Sequence, residues 1–233
     1  MSGTTTGIGG GARSAAVTPP PITAATVGLA WGTLVEAVGE LLEGRRRVWA
    51  LEAGAGTRTL FDLPEDAYVV GVDRDLHALE VNARLDQRVA VDLADYLPQT
   101  AGFDLITCWY VLDGLTDPAT VLDRFARWTA PGGLIVLGVP NLRSPRGVLA
   151  RLLRRTRLRR ELTPAALRRR FGRHGFTTAF HAYYEDSDQI EGRQRLRLTD
   201  GWWRAARAVV RVLSLGALDA ARTDYLVVFR RDE

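Results

Sequence analysis

The chain has 233 residues, 46% hydrophobic and 25% charged, which suffices for one α/β domain with a full core and is marginal for two. One cysteine, Cys108, excludes a disulfide framework and any Cys-rich zinc module. The net charge of +4 is unevenly spread: all 31 basic residues are arginines, and residues 143–173 carry twelve of them against a single acid, Glu161. That segment nets +11 and leaves −7 for the rest, so a basic lobe sits on an acidic body. Such a lobe suits an anionic partner (phosphate, lipid headgroup or nucleic acid) or is simply a solvated helix face. No apolar run reaches the ~18 residues of a spanning helix. Residues 1–23, rich in Gly, Thr and Pro, lack the apolar core of a secretory signal and read as a flexible arm. The expected compartment is the cytoplasm, with residues 24–233 as a single domain.

In chain order, residues 26–42 place Leu29, Leu34, Val38, Leu41 and Leu42 near helical spacing, with Gly44 as the stop. Residues 48–51 read as a first strand, followed by a glycine-rich turn and a helix from about Arg58. A second strand over 68–72 precedes a helix over 76–85, and a third strand spans 88–91. A fourth strand, 103–109, leads to a helix over 118–129, and a fifth strand follows at 134–139. The basic stretch 146–160 is helical in pattern. Thr163 and Pro164 start a further helix as N-cap and first turn, ended by Gly175. Residues 176–184 form a sixth strand. Residues 202–218 make an amphipathic helix with Arg204, Arg207 and Arg211 opposite Trp203, Val209, Val210 and Leu213. Residues 225–229 close the chain as a seventh strand, antiparallel beside the sixth. Short apolar strands alternating with helices predict a mostly parallel seven-stranded α/β sheet, Rossmann-like, with helices on both faces and an antiparallel last strand.

The strongest local signal is VWALEAGAGTRT, residues 48–59. Gly54 and Gly56 follow the first strand at once, where small residues let the backbone turn sharply and approach a ligand. A helix starting next would offer free N–H groups to the ligand's polar end. Asp73 ends the second strand, twenty-one residues after Glu52, where a carboxylate can take both hydroxyls of a ribose. Asp73, or equally Asp75, could instead cap the next helix. Asp92 ends the third strand, within reach of an adenine amino group. Three acids at one sheet edge repel one another unless a ligand with a positive centre balances them.

These residues resemble the class I S-adenosylmethionine-dependent methyltransferases, in particular the small-molecule branch of ubiquinone- and menaquinone-type enzymes. The matching runs are EAGAG at 52–56, GVD at 71–73, VDLADYLP at 91–98, FDLITCWYVLDGLTDP at 103–118 and APGGLIVLGVPN at 130–141. The resemblance implies that Glu52, Gly54 and Gly56 hold the methionine moiety of S-adenosyl-L-methionine. It implies that Asp73 takes the ribose hydroxyls with Arg74 beside the adenine, that Asp92 and Leu93 contact the adenine, and that Trp109 lies near the cofactor. Pro131-Gly132-Gly133 would form the turn before the fifth strand. Two positions depart from the family. Arg58 stands where a third glycine is common, and Asp113-Gly114 stands where many members carry an acid-His pair.

The implied reaction is methyl transfer to a small or lipid-like acceptor, anionic in keeping with the basic lobe, and at oxygen. Alignment of nucleophile, methyl and sulfur can supply most of the acceleration. Candidate bases for a hydroxyl acceptor are Asp113, Tyr110 and His181, and none is assigned; no metal is implied. His77, His174 and Cys108 read as structural. The Asn/Asp-Pro-Pro-aromatic signature of base-amine methylases is missing after the fourth strand, which counts against a nucleic-acid amine as acceptor. The alternatives are a cofactor-binding protein of this fold without methyl transfer, or one that uses the cofactor for another reaction, and an RNA methyltransferase. The two basic helices also suit peripheral membrane contact.

Overall fold

The computed structural model describes residues 27–45, 47–141, 160–184, 209 and 224–233. The N-terminal arm, most of the basic stretch 143–160 and, apart from residue 209, the amphipathic helix expected at 202–218 lie outside the described residues.

Helix α1 (Val27–Leu42) is followed by strand β1 (Trp49–Ala53) and β2 (Tyr68–Asp73). Then come α2 (Leu76–Val81), β3 (Gln87–Ala90), β4 (Phe103–Trp109), a 3₁₀ turn (Leu112–Gly114), α3 (Pro118–Trp128) and β5 (Thr129–Pro140). A second 3₁₀ turn (Arg160–Leu162) leads into α4 (Pro164–Gly172), β6 (Phe176–Tyr184) and β7 (Asp224–Arg231). The seven strands form one sheet in the order β3-β2-β1-β4-β5-β7-β6. All pairings from β3 to β5 are parallel, and β7 runs antiparallel to both β5 and β6. The predicted architecture, with its antiparallel last strand, is the observed one.

Two apolar cores form, one on each face of the sheet. Alternate residues of the strands feed them: Leu51, Ile106 and Val227 one face, Ala50, Leu105 and Val228 the other. Helices α3 and α4 cover the first face through Leu122, Phe125, Leu167 and Phe171. Helix α1 covers the second through Leu34, Val38 and Leu42. An ion pair of 2.7 Å between Arg170 and Asp123 ties α4 to α3, and His174 lies 3.2 Å from the same carboxylate.

Three sequence expectations are corrected. No helix follows the glycine turn: residues 54–67 cross from β1 to β2 as irregular chain. A helix from Arg58 would be stopped at once by Pro64, too short to hold alone. Instead Phe61 is buried against the second core, with Leu60 and Leu63 packed beside it. Helix α2 ends at Val81 rather than 85, since Asn82 takes an extended conformation. The Pro131-Gly132-Gly133 turn lies within the bounds of β5, where the register with β4 jumps from Phe103↔Thr129 to Leu105↔Leu134. Gly132 there has φ +67°. Its carbonyl accepts from Arg45, whose guanidinium also meets Asp104 at 2.5 Å, while Asp104 accepts from Trp49 N at 3.0 Å. This clamp locks the starting ends of β1, β4 and β5. Thr163 is the N-cap of α4, as expected, but makes no side-chain cap hydrogen bond.

The connection from β3 to β4 also lacks a helix. Among the described residues the first face over β1–β3 therefore stays open, as a groove of about 550 Å³ lined by Trp49, Tyr68, Val89, Tyr96 and Phe103. It lies over the starting halves of these strands, away from the edge described next.

Candidate functional site

The parallel strands β1, β2 and β4 all end on one edge of the sheet, the general location of ligand sites in open α/β folds. At that edge β1 runs into Gly54 (φ +82°) and Gly56 (φ +55°), conformations that side-chain-bearing residues rarely adopt. Gly54 N and Ala55 N both donate to Val72 O of β2, at 2.7 and 3.1 Å, which folds the turn back over β2. The two glycines serve different ends. A Cβ on Gly54 would stand 2.1 Å from Val111 Cγ2, so this glycine is required by packing against the segment after β4. A Cβ on Gly56 would meet nothing within 4 Å among the described residues, so this glycine borders space they leave open.

Asp73, at the end of β2, accepts from Gly56 N with one carboxylate oxygen and from Asp75 N with the other, each at 3.0 Å. A carboxylate offers about four lone-pair positions, so two remain for a ligand's hydroxyls. The capping role belongs to Asp75, which accepts from Ala78 N as N-cap of α2. Asp92 accepts from Ala94 N at 2.9 Å and lies 3.7 Å from the exposed Arg74 guanidinium. Three of the sequence-derived site residues, Asp73, Arg74 and Asp92, thus stand at neighbouring strand ends. Leu93 differs: its side chain is buried in the first core, so only its main chain faces the edge. Arg58 is exposed and does not fill the turn.

Glu52 is the least ordinary group. It is 5% exposed, one residue before the end of β1. Thr59 Oγ1 lies 3.1 Å from its carboxylate and 3.4 Å from Asn82 Oδ1, and its single proton serves one at a time. Asn82 donates in turn to Ala55 O at 3.4 Å, which closes a buried polar network under the glycine turn. Glu52 makes no salt bridge among the described residues. Burial pushes its carboxyl up to about 7, against partial relief from the Thr59 hydroxyl, the Leu60 backbone and the more distant Arg84. A buried carboxylate with donors but no counter-charge is an arrangement that a cationic ligand group would complete.

The end of β4 forms the opposite wall. Trp109 is buried, packed edge-on against Phe61 at 6.5 Å between ring centroids. Gly138 of β5 makes room for it, since a Cβ there would stand 2.6 Å from the indole. Tyr110 follows with φ +54°, uncommon for a bulky residue, and donates its N–H to Gly138 O at 3.0 Å. The strained residue turns the chain so that Val111 presses on Gly54 and Asp113 enters the 3₁₀ turn. Cys108 is fully buried, and burial with nearby Asp113 pushes its thiol far up, so it is inert.

Sequence reasoning missed Asn82, Val111 and the split between the two glycines. Thr59 was visible inside the motif, but nothing in the spacing tied Asn82, at the end of the next helix, to the turn. The candidate bases do not converge: Tyr110 and Asp113 follow β4, whereas His181 lies three strands away on the edge strand β6. Among the described residues no helix is long and apolar enough to cross a membrane.

Comparison with known proteins gives a consistent result. Residues 30–179 match a family described as a methyltransferase domain. A ubiquinone biosynthesis O-methyltransferase from Paracidovorax citrulli is 34% identical over 122 residues, 47% of this chain and 49% of that protein. The chain spans about half the length of the curated relatives it matches. A SAM-dependent methyltransferase from Archaeoglobus fulgidus superposes with a TM-score of 0.57 at 14% identity, covering 88% of this chain and 94% of that one. The N-methyltransferase NodS from Bradyrhizobium japonicum, in complex with S-adenosyl-L-homocysteine, gives 0.53 at 16% identity and 87% coverage of each chain. At these identities the two structures speak for the fold.

Proposed function

From the premise that the chain belongs to the methyltransferase-domain family, we propose that it moves a methyl group from S-adenosyl-L-methionine to a hydroxyl of a small-molecule acceptor. The observation that carries the cofactor is the buried Glu52 carboxylate, supplied with donors and without a salt-bridge partner among the described residues, beside a glycine turn where these residues leave space open at Gly56. The methionine ammonium supplies the missing positive charge. The open side of Gly56 takes the methionine portion, and Gly54 keeps Val111 close enough to form the floor. Asp73, already fixed by two backbone N–H groups, is pre-oriented for the two ribose hydroxyls. Arg74, Asp92 and the Leu93 main chain border the adenine, and Trp109 forms the wall below.

The bound cofactor supplies an activated methyl group on a sulfonium whose leaving group is a neutral thioether. The protein's share is positioning. It would hold the cofactor by its ammonium at Glu52, its ribose at Asp73 and its adenine beside Asp92, with Trp109 and Phe61 as the apolar wall, so that the acceptor oxygen can line up with the methyl–sulfur bond. The oxygen-directed reading and the small-molecule acceptor draw support from the ubiquinone O-methyltransferase likeness.

The test is transfer of radiolabelled methyl from S-adenosyl-L-methionine to a panel of hydroxylated ring acceptors. Label should appear on at least one of them, and Asp73→Ala should lower the yield by more than tenfold at subsaturating cofactor. Cofactor binding without transfer to any acceptor would remove the enzymatic reading.

A further inference from the structure

The groove over the first face of β1–β3 has no part in the cofactor site. A parallel sheet is ordinarily covered on both faces, because its strands are apolar on both sides. Among the described residues this stretch is left uncovered. Its floor is a row of rings across three neighbouring strands. Between centroids, Tyr68 of β2 lies 6.0 Å from Trp49 of β1, and Trp49 lies 6.1 Å from Phe103 of β4. The same patch carries its own projection. Leu97, in the groove wall, is 69% exposed, more than any other large apolar side chain among the described residues. Pro98 follows it and restricts its backbone to extended conformations, so Leu97 is held out at little entropic cost. Gln87, Asp95, Gln99 and Thr100 put polar groups around the apolar centre, the layout of a protein–protein contact.

The two flanks of the groove differ in charge. On one side Glu65 and Asp66 precede β2, and Asp86 precedes β3. Arg84 pairs with Asp86 at 3.4 Å, whereas Glu65 and Asp66 are exposed and make no salt bridge among the described residues. On the other side stand Arg47, two residues before Trp49, and Arg127, next to Trp128, whose ring packs against Tyr96 at 5.7 Å. Both arginines are exposed and make no salt bridge among the described residues.

We propose that two copies of the chain meet on this face as an isologous dimer, each inserting Leu97 into the groove of the other. A two-fold axis between the faces and parallel to the strands lays the β3 side of one copy over the β4 side of its partner. Glu65 and Asp66 then face the second copy's arginine flank, twice in each dimer. An axis across the strands would keep acid on the acid side and base on the base side, which costs energy. The groove lies away from the cofactor edge, so the inference is independent of the methyltransferase reading.

Sedimentation velocity of the full chain over a concentration series tests this, with a melting curve of each variant to show that it is folded. The parent should pass from one chain to two as its concentration rises to about 0.1 mM. Leu97→Asp should weaken association by about tenfold or more. Arg47→Glu together with Arg127→Glu should weaken it as well, and adding Glu65→Arg and Asp66→Arg to that variant should restore it. In dilute solution, where the parent is a single chain, Leu97→Asp should melt as the parent does. The proposal is overturned if the parent remains a single chain throughout, if Leu97→Asp associates like the parent, or if the charge exchange does not restore association. A lower melting midpoint for dilute Leu97→Asp would overturn it too, since a segment of the same chain would then cover the groove.

Discussion

At the scale of single residues, the role proposed for Glu52 sets stability and ligand affinity against each other. Its carboxyl titrates at about 7 in the folded protein and near 4.5 in an unfolded chain. Between those values the folded state keeps a proton that the unfolded state has lost. The stabilisation is therefore full below pH 4.5 and disappears as pH rises through 7, a change of about 3 kcal/mol. The ionised form is the one that pairs with an ammonium, so cofactor affinity should rise across the same window in which the free protein loses stability. Glu52→Gln keeps the hydrogen bond to Thr59 but cannot ionise. It should melt higher than the parent at pH 8, melt equally at pH 4, and bind S-adenosyl-L-homocysteine at least tenfold more weakly at pH 8; equal melting at pH 8 would show that Glu52 is not strained by burial. Gly54 is a second residue-scale case. Gly54→Ala places a methyl against Val111 in a left-handed backbone and should cost several kcal/mol. Val111→Ala in the same chain should recover the steric share of that loss and not the backbone share, which a double-mutant cycle of melting curves resolves.

At the scale of elements, the strands were easier to read than their connections. β4 and β6 match the sequence reading residue for residue: β4 as a mostly apolar run in the buried middle of the sheet, β6 as a half-exposed edge strand rich in aromatic and β-branched residues. The connection from β1 to β2 misled. Its residues 58–63 carry acceptable helix formers, but tertiary burial of Phe61 and the stop at Pro64 outweighed a helix of barely one turn. The consequence is that, among the described residues, no helix starts at the glycine turn, which is held by backbone bonds to Val72 O and by side chains. Asn82 is the clearest of these, reaching from the end of α2 to Ala55 O. Asn82→Ala should lower stability by about 1–3 kcal/mol and weaken nucleoside binding, because the buried Ala55 carbonyl is left unmet. Unchanged binding would mean that the turn holds its shape without α2.

At the scale of the whole molecule, the strand order follows from chain connectivity. Five parallel strands in the order β3-β2-β1-β4-β5 place β1 centrally, with β2 and β4 on either side, and bring Glu52, Asp73 and Trp109 to one edge. That convergence was legible in the sequence because each residue closes an apolar run at a strand end. The antiparallel half was legible as strands, but the meeting of Tyr225, Tyr183 and His181 was not, since they carry no spacing signal and come together through the β6–β7 pairing. The central claim is that a sulfonium nucleoside lies across the ends of β1 and β2, held by Glu52 and Asp73. Calorimetric titration with S-adenosyl-L-homocysteine at pH 6 and pH 8, on the parent and on Asp73→Ala, tests it most directly. The account predicts one saturable site, tighter at pH 8, and a loss of more than tenfold in the variant; no heat from a folded parent protein, or equal binding by Asp73→Ala, would contradict it.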